Sequence, residues 1–350
     1  MSFQKILLEE KGKIEESIQR FFDAHLQPGT FSHQFVHQYY SDLKNYILFG
    51  GKRLRPVSVV MMYKGLGGTQ DTIYDLAICV ELLHNASLVH DDIIDHDLVR
   101  RGQPSFHAFY QSWFNENLKK NSEEIDFGMA MGILGGDLLI DLGQEAIFRS
   151  DFDSSKKLKA VMYYQQAFKE LVDGVVAESY LQNLPIDKVT ENDYLNMING
   201  KTSALFEKSI LIGAVLADET EKYKKDLSEF ALLLGQAFQI RDDILGVFGD
   251  SAKTGKSTEG DIREGKKTLL AIYGSSNTEL KTLYGKADIT SQEIISVREL
   301  LQETGALKHT KSKALELAKR ANAVLKEIEL EEQSFLFFND LIKFVQDRIL

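Results

Sequence analysis

Apolar residues recur at helical spacing along most of the chain, and this periodicity limits the possible folds more than any other feature. Ile6, Ile14 and Ile18 show it in the first segment, where they share one helix face. Only 4 of the 350 residues are proline, and so little proline favours long helices over a turn-rich β fold. Further helical segments are predicted at 32–49, 56–65, 71–95, 127–148, 158–181, 192–216, 219–248 and 291–350. The sequence therefore predicts an all-α fold.

The segments between these helices are short or polar. Residues 115–126 and 249–267 are rich in polar residues and are interpreted as loops. Thr69 or Asp71 is the expected cap of the helix 71–95. Because no repeat, low-complexity tract or interdomain linker is found, we expect residues 1–350 to form one domain.

Charge and cysteine content narrow the class of protein. The net charge of −11 and the pI near 5.3 argue against nucleic acid or an anionic membrane as the main partner. Cys79 is the only cysteine and fits a reducing compartment. The N-terminal segment has no apolar signal core, and no apolar run reaches the roughly 20 residues of a membrane helix. We therefore expect a cytoplasmic protein with no membrane span and no nucleic-acid partner.

Two aspartate clusters each close an apolar helical run. Asp91 and Asp95 lie four residues apart on one helix face, with Asp92 between them. Asp242 and Asp243 form the second cluster. Carboxylate oxygens suit Mg²⁺, and two facing clusters that hold such ions would bind a diphosphate. A solvated acidic patch explains a single cluster equally well.

Three groups of basic residues accompany the aspartates in sequence. They are Lys52, Arg53 and Arg55; Arg100 and Arg101; and Lys253, Lys256, Lys266 and Lys267. Each group alone would be interpreted as an exposed charged surface. Because all three lie beside the aspartate clusters of an acidic chain, they indicate binding of more than one phosphate group.

These segments, in this order, resemble the trans-isoprenyl diphosphate synthases, polyprenyl synthetases similar to geranylgeranyl diphosphate synthase. The resemblance extends from about Phe35 to Thr268. Its segments are GGKRLRP (50–56), LHNASLVHDDIID (83–95), RRGQPSFH (100–107), Gly136-Asp137, Lys201-Thr202, GQAFQIRDD (235–243) and DIREGKKT (261–268). One such segment alone is a weak signal, whereas the ordered set is strong. The resemblance implies the isoprenoid synthase fold, a single-domain bundle of long helices around a central deep cavity, and a homodimer.

The resemblance also implies a reaction, the Mg²⁺-assisted head-to-tail condensation of isopentenyl diphosphate with dimethylallyl, geranyl or farnesyl diphosphate. The implied catalytic set is Asp91, Asp92, Asp95, Lys201, Thr202, Gln239 and Asp242. Of these, Asp91, Asp95 and Asp242 would bind about three Mg²⁺ ions, with Asp92 and Asp243 as supporting ligands. The residues implied to contact the allylic diphosphate are Arg100, Lys201 and Lys256, and those for isopentenyl diphosphate are Lys52, Arg55, His84 and Arg101. Thr202 and Gln239 would stabilise the allylic cation, and Lys266 would contact phosphate.

The chain departs from the family pattern at Gly246, where many relatives carry a third aspartate. We expect activity to survive, because Asp242 is the main ligand expected there, and Asp261 would contribute charge from the following loop. This replacement leaves the coordination on that side open.

Product length is inferred from the helix before Asp91. Ser87 and Ala86 are small, whereas relatives that stop at the fifteen-carbon product often have aromatic residues there. We therefore expect a longer product, with geranylgeranyl diphosphate as the first choice. The candidates for the pocket floor are Leu83, Cys79, Ile133 and Leu134. The alternatives are a synthase with a product of C25 or more, a farnesyl diphosphate synthase, or a terpene cyclase.

Three other kinds of function compete with this interpretation. A terpene cyclase binds one diphosphate and leaves Lys52, Arg55 and Arg101 without a role. A metal-dependent phosphohydrolase based on His90-Asp91 needs further histidine ligands, and the chain shows no matching pattern. A non-catalytic partner subunit would be expected to lose its aspartates, which this chain retains.

Overall fold

The structure, a computed structural model, describes residues 3–118, 123–249 and 258–347. Helices form nearly all of it, which confirms the all-α prediction. The helices are α1 (Phe3–His25), α2 (Gln34–Leu48), α3 (Leu54–Gly65), α4 (Ile73–Ile94), α5 (Phe106–Asn117), α6 (Glu124–Arg149), α7 (Ser154–Gln182), α8 (Glu191–Ile198), α9 (Ala204–Leu216), α10 (Thr220–Phe248), α11 (Gly260–Arg263), α12 (Leu269–Gly274), α13 (Thr278–Leu283), α14 (Ser291–Glu303), α15 (Ala306–Leu325) and α16 (Glu332–Asp347). A 3₁₀ turn (Ile186–Lys188), a π-helical turn (Asn199–Ser203) and two short strands, β1 (Val99–Arg100) and β2 (Gln103–Pro104), complete it.

Several local predictions are wrong. Helix α5 continues to Asn117 and α6 begins at Glu124, so the first three and last three residues of the loop predicted at 115–126 are helical. The segment 249–267 contains the helix α11, while residues 250–257 lie outside the described residues. The continuous helix predicted at 192–216 is interrupted by the π-helical turn, where the backbone approaches another helix.

The start of α4 also differs from the prediction. Thr72, rather than Thr69 or Asp71, precedes its first residue, and no side chain caps the helix. The helix keeps its place without a cap because most of its residues are buried, and tertiary packing outweighs a missing cap.

The described residues fall into two compact units. Unit one comprises those within Met1–Tyr164 and Ile212–Asp218, and unit two those within Gln165–Leu211 and Glu219–Leu350. The single domain and its central cavity remain predictions.

In unit one, α4 packs along α6. The close approach depends on Gly136, because any side chain there would overlap the ring of His90. His90 Nε2 lies 3.2 Å from the carbonyl oxygen of Ile133, within hydrogen-bond distance. The last turns of α4, which carry the first aspartate cluster, are thereby fixed against α6.

In unit two, α10 packs along α15. Val247 near the end of α10 and Ile262 in α11 are both completely buried in one apolar cluster, together with Leu270 and Leu301. This cluster holds α11, and with it Asp261, beside the end of α10.

Within the described part of the chain, no helix is both long enough and apolar enough to cross a bilayer.

Candidate active site

The first aspartate cluster occupies the last turn of α4. The backbone N–H of Asp95 donates to the carbonyl oxygen of Asp91 at 2.8 Å, so the helical geometry continues through the cluster. Asp91 and Asp95 therefore share one face, as predicted, and both are partly exposed. Their carboxylates are accessible to a ligand.

Asp92, between them, points elsewhere. Its side chain is fully buried and accepts hydrogen bonds from Nε of Arg100 at 2.7 Å and from Nη2 of the same residue. The hydroxyl of Tyr46 lies 3.4 Å from the other carboxylate oxygen. Burial raises the pKa of Asp92, and Arg100 partly opposes this shift. The structure thus gives Asp92 a protein partner in the position where the sequence suggested a supporting metal ligand.

A tight hairpin directs the side chains of the adjacent residues Arg100 and Arg101 to different partners. Arg101 (φ 55°) and Gly102 (φ 77°) form its two-residue turn between β1 and β2, with both residues in the left-handed region. Arg100, in β1, binds Asp92, whereas Arg101 Nη1 donates to the carbonyl oxygen of Phe49 at 3.0 Å. The hairpin therefore places the guanidinium of Arg100 against the aspartate cluster and that of Arg101 against the segment between α2 and α3.

That segment, Gly50–Arg55, is a turn with an unusual backbone. Gly50 (φ 78°), Gly51 (φ 99°) and Arg53 (φ 54°) are all left-handed. Lys52 is exposed at its tip, and Arg55 lies in the first turn of α3. We call this segment the glycine turn.

His84 on α4 lies close to the same cations. Burial, followed by the charges of Arg55, Arg101 and Arg53, lowers its pKa well below the usual value. The imidazole is therefore neutral at pH 7 and is suited to hydrogen bonding. Of the residues predicted to bind isopentenyl diphosphate, the structure places Arg55, His84 and Arg101 in one region of unit one, beside the turn that carries Lys52.

In unit two, the π-helical turn carries Lys201 and Thr202. Gly200 in this turn packs backbone to backbone against Gly174 of α7, and a side chain at either position would collide with the other segment. This contact brings Glu178, one turn further along α7, within a salt bridge of Lys201. π-Helical turns often occur at functional sites.

A chain of hydrogen bonds starts at Thr202. Its hydroxyl donates to Gln239 Oε1 at 2.8 Å, and Gln239 Nε2 donates to Asp243 Oδ1 at 2.8 Å. The hydroxyl of Tyr194 donates to the other oxygen of Asp243 at 2.5 Å. Burial and then the charge of Asp261 raise the pKa of Asp243 to about 7. The predicted pair Thr202 and Gln239 is thus in direct contact.

Asp242, the residue before Asp243, does not take part in these hydrogen bonds. Its side chain is 44% exposed and is paired with Arg241, whose guanidinium is buried. That guanidinium lies 4.1 Å from the ring centre of Phe238 and 5.2 Å from that of Phe344 in α16. Asp242 is accessible to a ligand, as its predicted role requires.

Gly246 borders a carboxylate from α11. A Cβ atom on Gly246 would lie 2.5 Å from Asp261 Oδ2, so the carboxylate of Asp261 occupies the space beside the missing side chain. Lys266 Nζ lies 3.6 Å from Asp261 Oδ1 and 3.0 Å from Glu264. The predicted contribution of Asp261 near the second cluster is consistent with this arrangement. Lys256 lies outside the described residues.

The carboxylates fit a metal ion that is bound together with phosphate. No three Asp, Glu, His or Cys side chains among the described residues converge to hold a metal by themselves. Mg²⁺ commonly takes one or two protein carboxylates and completes its coordination with phosphate and water. Asp91 with Asp95, and Asp242 with Asp261 nearby, provide carboxylates of this kind in each unit.

A cavity of about 540 Å³ in unit two lies elsewhere. Glu170, Asp173, Gly200 and Glu207 line it, whereas Lys201, Thr202 and the second aspartate cluster do not. We assign no substrate to it.

Three residues at the candidate site were not predicted from the sequence: Glu178, Tyr194 and Tyr46. Glu178 lies in a predicted helix and looks like any exposed acid, and only the contact between Gly174 and Gly200 reveals its partner. The two tyrosines carry no sequence signal, because each is recognised only by the aspartate that it contacts.

Comparison with known proteins identifies the class. Residues 37–302 match the Polyprenyl synthetase family. The chain is 35% identical to the geranylgeranyl diphosphate synthase of Saccharolobus solfataricus over 279 residues, which cover 77% of each chain. The chain therefore belongs to the polyprenyl synthetase family, that of the trans-isoprenyl diphosphate synthases, and is a trans-prenyltransferase. The family resemblance found in the sequence is confirmed.

Relatives of similar identity differ in product length. The geranylfarnesyl diphosphate synthase of Aeropyrum pernix is 34% identical over 313 residues, covering 86% of this chain and 91% of its own. The crystal structure of a geranylgeranyl pyrophosphate synthase from Corynebacterium glutamicum has a TM-score of 0.90 and covers 99% of this chain and 100% of its own. At 24% identity, that structure supports the fold alone.

Proposed function

We propose that the protein condenses isopentenyl diphosphate with an allylic diphosphate and releases a longer trans-prenyl diphosphate, with geranylgeranyl diphosphate as the main product. The observation that carries this proposal is the separation of two phosphate-binding sets within unit one. Arg100 is directed to the aspartate cluster, while Arg101 is directed to the glycine turn with its own cations. An enzyme with a single diphosphate substrate needs only one such set.

The acceptor, isopentenyl diphosphate, is assigned to Lys52, Arg55, Arg101 and His84. Arginine and lysine bind phosphate oxygens directly. A neutral His84 adds a hydrogen bond without adding charge to a region that is already cationic. This binding mode holds the acceptor's diphosphate away from the metals, so that it is not the group that leaves.

The allylic donor is assigned to Arg100 and Lys201 together with the aspartates that remain accessible. Glu178 holds Lys201, and Asp92 holds Arg100, so both cations are fixed before the substrate binds. Preorganised positive charge stabilises the diphosphate as it takes up the electrons of the breaking C–O bond.

Asp91, Asp95 and Asp242 are the residues that would hold Mg²⁺. The oxygen ligands of carboxylates and of a diphosphate are those that Mg²⁺ prefers, which supports this choice of metal. When bound, Mg²⁺ neutralises charge on the departing diphosphate. The number of ions per site remains a prediction.

The carbon chemistry takes place after the C–O bond breaks. The double bond of isopentenyl diphosphate attacks the allylic cation and forms the new C–C bond, and loss of one proton restores a double bond. Thr202 and Gln239 are assigned to the cation, because their hydrogen bond fixes the hydroxyl and amide oxygens in one place. Oriented oxygen dipoles stabilise a nearby cation.

Product length is assigned to the small residues before the first aspartate cluster. Of these two residues, Ala86 is buried and Ser87 is partly exposed, while Leu83 and Cys79 are buried further down the helix. Ile133 and Leu134 of α6 are 47% and 55% exposed, so within one chain they do not form a buried floor. Leu83 and Cys79 are therefore the better candidates.

We also propose a homodimer. Helix α6 exposes large apolar side chains, which a partner would cover. They are Ile125, Met129, Ile133, Leu134 and Phe148. Light scattering of the purified protein tests this proposal, and a monomer at micromolar concentration would contradict it. The cytoplasm remains the predicted location, since the single cysteine is buried and unpaired.

The experiment that tests the reaction is product chromatography. The purified protein is incubated with Mg²⁺, isopentenyl diphosphate and each allylic primer in turn, and then with each primer alone. We expect elongated products only when isopentenyl diphosphate is present. Conversion of a primer alone into a hydrocarbon or alcohol would instead indicate a cyclase, and a main product of fifteen carbons would contradict the assignment based on Ser87 and Ala86.

A further inference from the structure

A buried ion pair lies beneath the glycine turn. The side chain of Arg53 is completely buried, and its Nη1 donates to Glu81 Oε1 at 2.8 Å. Glu81, on α4, is 2% exposed. Arg53 Nη2 donates to the carbonyl oxygen of Ile47 at 2.6 Å and lies 3.2 Å from Glu15 on α1. One guanidinium thus joins the glycine turn to α1, α2 and α4.

The backbone of the turn is shaped around this guanidinium. Arg53 itself has φ 54°, a conformation that is unfavourable for a residue with a Cβ atom. At Gly51, a Cβ atom would lie 2.7 Å from Arg53 Nη1, so a side chain there would displace the guanidinium. The left-handed backbone and the absent side chain are both required to place Arg53 under the turn.

Stability alone does not account for the pair. Two buried charges lose their hydration, and a pair of apolar residues of similar size often gives equal or greater stability. The Nε atom of Arg53 and the Oδ1 atom of Asn85, whose Nδ2 donates to Glu81 at 3.0 Å, are buried without hydrogen-bond partners. A network with such defects is expected where the position of a group matters more than its contribution to folding.

The position that matters is that of the neighbouring cations. Lys52 precedes Arg53 directly, Arg55 follows it after Leu54, and Arg101 reaches the carbonyl oxygen of Gly50 from the hairpin at 3.4 Å. Like charges this close repel one another. The buried carboxylate of Glu81 binds the central cation beneath the turn, while Lys52 is exposed and Arg55 lies partly buried near His84.

We propose that Glu81 and Arg53 are positioning residues that hold the glycine turn in the conformation in which Lys52 and Arg55 bind the acceptor's diphosphate. This inference rests on the proposed function for the identity of the bound diphosphate. The pair itself does not touch the substrate and acts through the turn.

The test compares Glu81→Gln with Glu10→Gln. Glutamine at position 81 retains the acceptor for Asn85 and the side-chain size, but it removes the buried charge that binds Arg53 Nη1, while Glu15 remains 3.2 Å from Nη2. Glu10 is a matched control, because its side chain is 4% exposed in the same unit and is bound by Lys64 at 3.1 Å and by the hydroxyl of Tyr74 at 2.7 Å. It lies away from the glycine turn in these contacts.

Two readouts are measured for each variant. For Glu81→Gln we expect the KM for isopentenyl diphosphate to rise on the order of tenfold, with kcat at saturation and the KM for the allylic primer nearly unchanged. We also expect faster hydrogen exchange of the backbone amides of residues 50–55. Glu10→Gln should change neither readout, although its melting temperature falls.

A second variant keeps the test valid if Glu81→Gln does not fold. The double change Arg53→Met with Glu81→Leu removes both charges of the buried pair. Glu15, which also contacts Arg53, is 31% exposed and keeps Lys11 at 3.7 Å, and Asn85 keeps its bond to the carbonyl oxygen of residue 81. The same rise in KM is expected. A folded variant of either kind with wild-type KM and wild-type exchange overturns the proposal. If wild-type protein does not consume isopentenyl diphosphate, the proposed function fails, and the exchange of residues 50–55 still decides whether Glu81 orders the turn.

Discussion

The substitution Asp92→Asn separates two roles for the buried aspartate of the first cluster. The sequence suggested a supporting metal ligand, whereas the structure shows a fully buried side chain bound by Arg100. Asparagine retains the shape and one acceptor oxygen but loses the charge. If Asp92 positions Arg100, the metal-free variant is less stable than the metal-free wild-type protein, and the variant binds the allylic diphosphate less well. If Asp92 is a ligand, the variant loses affinity for Mg²⁺.

The magnitude follows from the contacts. Breaking a buried ion pair costs about 3–5 kcal/mol when the remaining charge has no compensation, and a charge-assisted hydrogen bond contributes about 1.5–3 kcal/mol. Arg100 is 15% exposed and has Asp97 at 3.6 Å, which offsets part of the loss. The hydroxyl of Tyr46, at 3.4 Å, contributes little. We therefore expect the free energy of unfolding to fall by about 2 kcal/mol.

The assay is urea denaturation of the metal-free protein, applied to a double-mutant cycle. Asp92→Asn, Arg100→Gln and the double variant should give a coupling of about 2 kcal/mol. A matched cycle on Lys169 and Asp173, an i,i+4 pair whose side chains are 76% and 62% exposed, should give about 0.3–0.5 kcal/mol. In kinetics, Asp92→Asn should raise the KM for the allylic primer and leave the dependence on Mg²⁺ unchanged.

One combination of results would contradict the positioning role of Asp92. It consists of a coupling below about 0.5 kcal/mol, the limit of additivity for independent sites, together with weaker Mg²⁺ binding by the single variant in calorimetry. Asp92 would then act on the metal and Arg100 would be held by other groups.

The remaining predictions concern the second cluster, His84 and product length. Asp261→Ala should weaken binding of Mg²⁺ with inorganic diphosphate in calorimetry. Adding Gly246→Asp should restore part of this binding, because the side chain at 246 enters the space that Asp261 occupies; an absence of recovery would show that a carboxylate at 246 does not replace Asp261. The pKa of His84 is lowered in the folded state, so the unfolded state binds more protons below about pH 6.5. The free energy of unfolding of the wild-type protein therefore decreases as the pH is lowered below that value. His84→Gln should flatten that decline in urea denaturation, and an unchanged slope would contradict it. Ser87→Phe should shorten the main product in chromatography, and an unchanged product would mean that the chain does not pass this residue.

The elements that depend on periodicity could be predicted from the sequence. The apolar spacing located α1, α4 and α10 to within a few residues, because each buries a continuous apolar surface. The i,i+4 rule placed Asp91 and Asp95 on one face. Such features are local, so the sequence contains them fully.

Features that depend on the approach of distant segments could not be predicted. The π-helical turn forms where Gly200 meets Gly174, and the spacing of apolar residues does not distinguish it from an ordinary helix. The partner of Asp92 depends on a hairpin with Arg101 in a left-handed conformation, which glycine or asparagine would signal and arginine does not. Without knowledge of this hairpin, Asp91 and Asp92 both looked like metal ligands in the sequence.

Each aspartate cluster contains an arginine–aspartate pair, and the two pairs differ in burial in a way that assigns their roles. Asp92 is fully buried, so releasing it from Arg100 would leave an uncompensated carboxylate in the interior, and the pair is expected to persist through the reaction. The carboxylate of Asp242 is 44% exposed, although the guanidinium of its partner Arg241 is buried. The guanidinium of Arg241 is held independently by the rings of Phe238 and Phe344. Asp242 can therefore bind a divalent cation from the solvent side while the two rings still contact Arg241, whereas Asp92 has no exposed surface for a cation. This difference is the physical reason for assigning the metal to Asp242 and the positioning of a phosphate-binding arginine to Asp92.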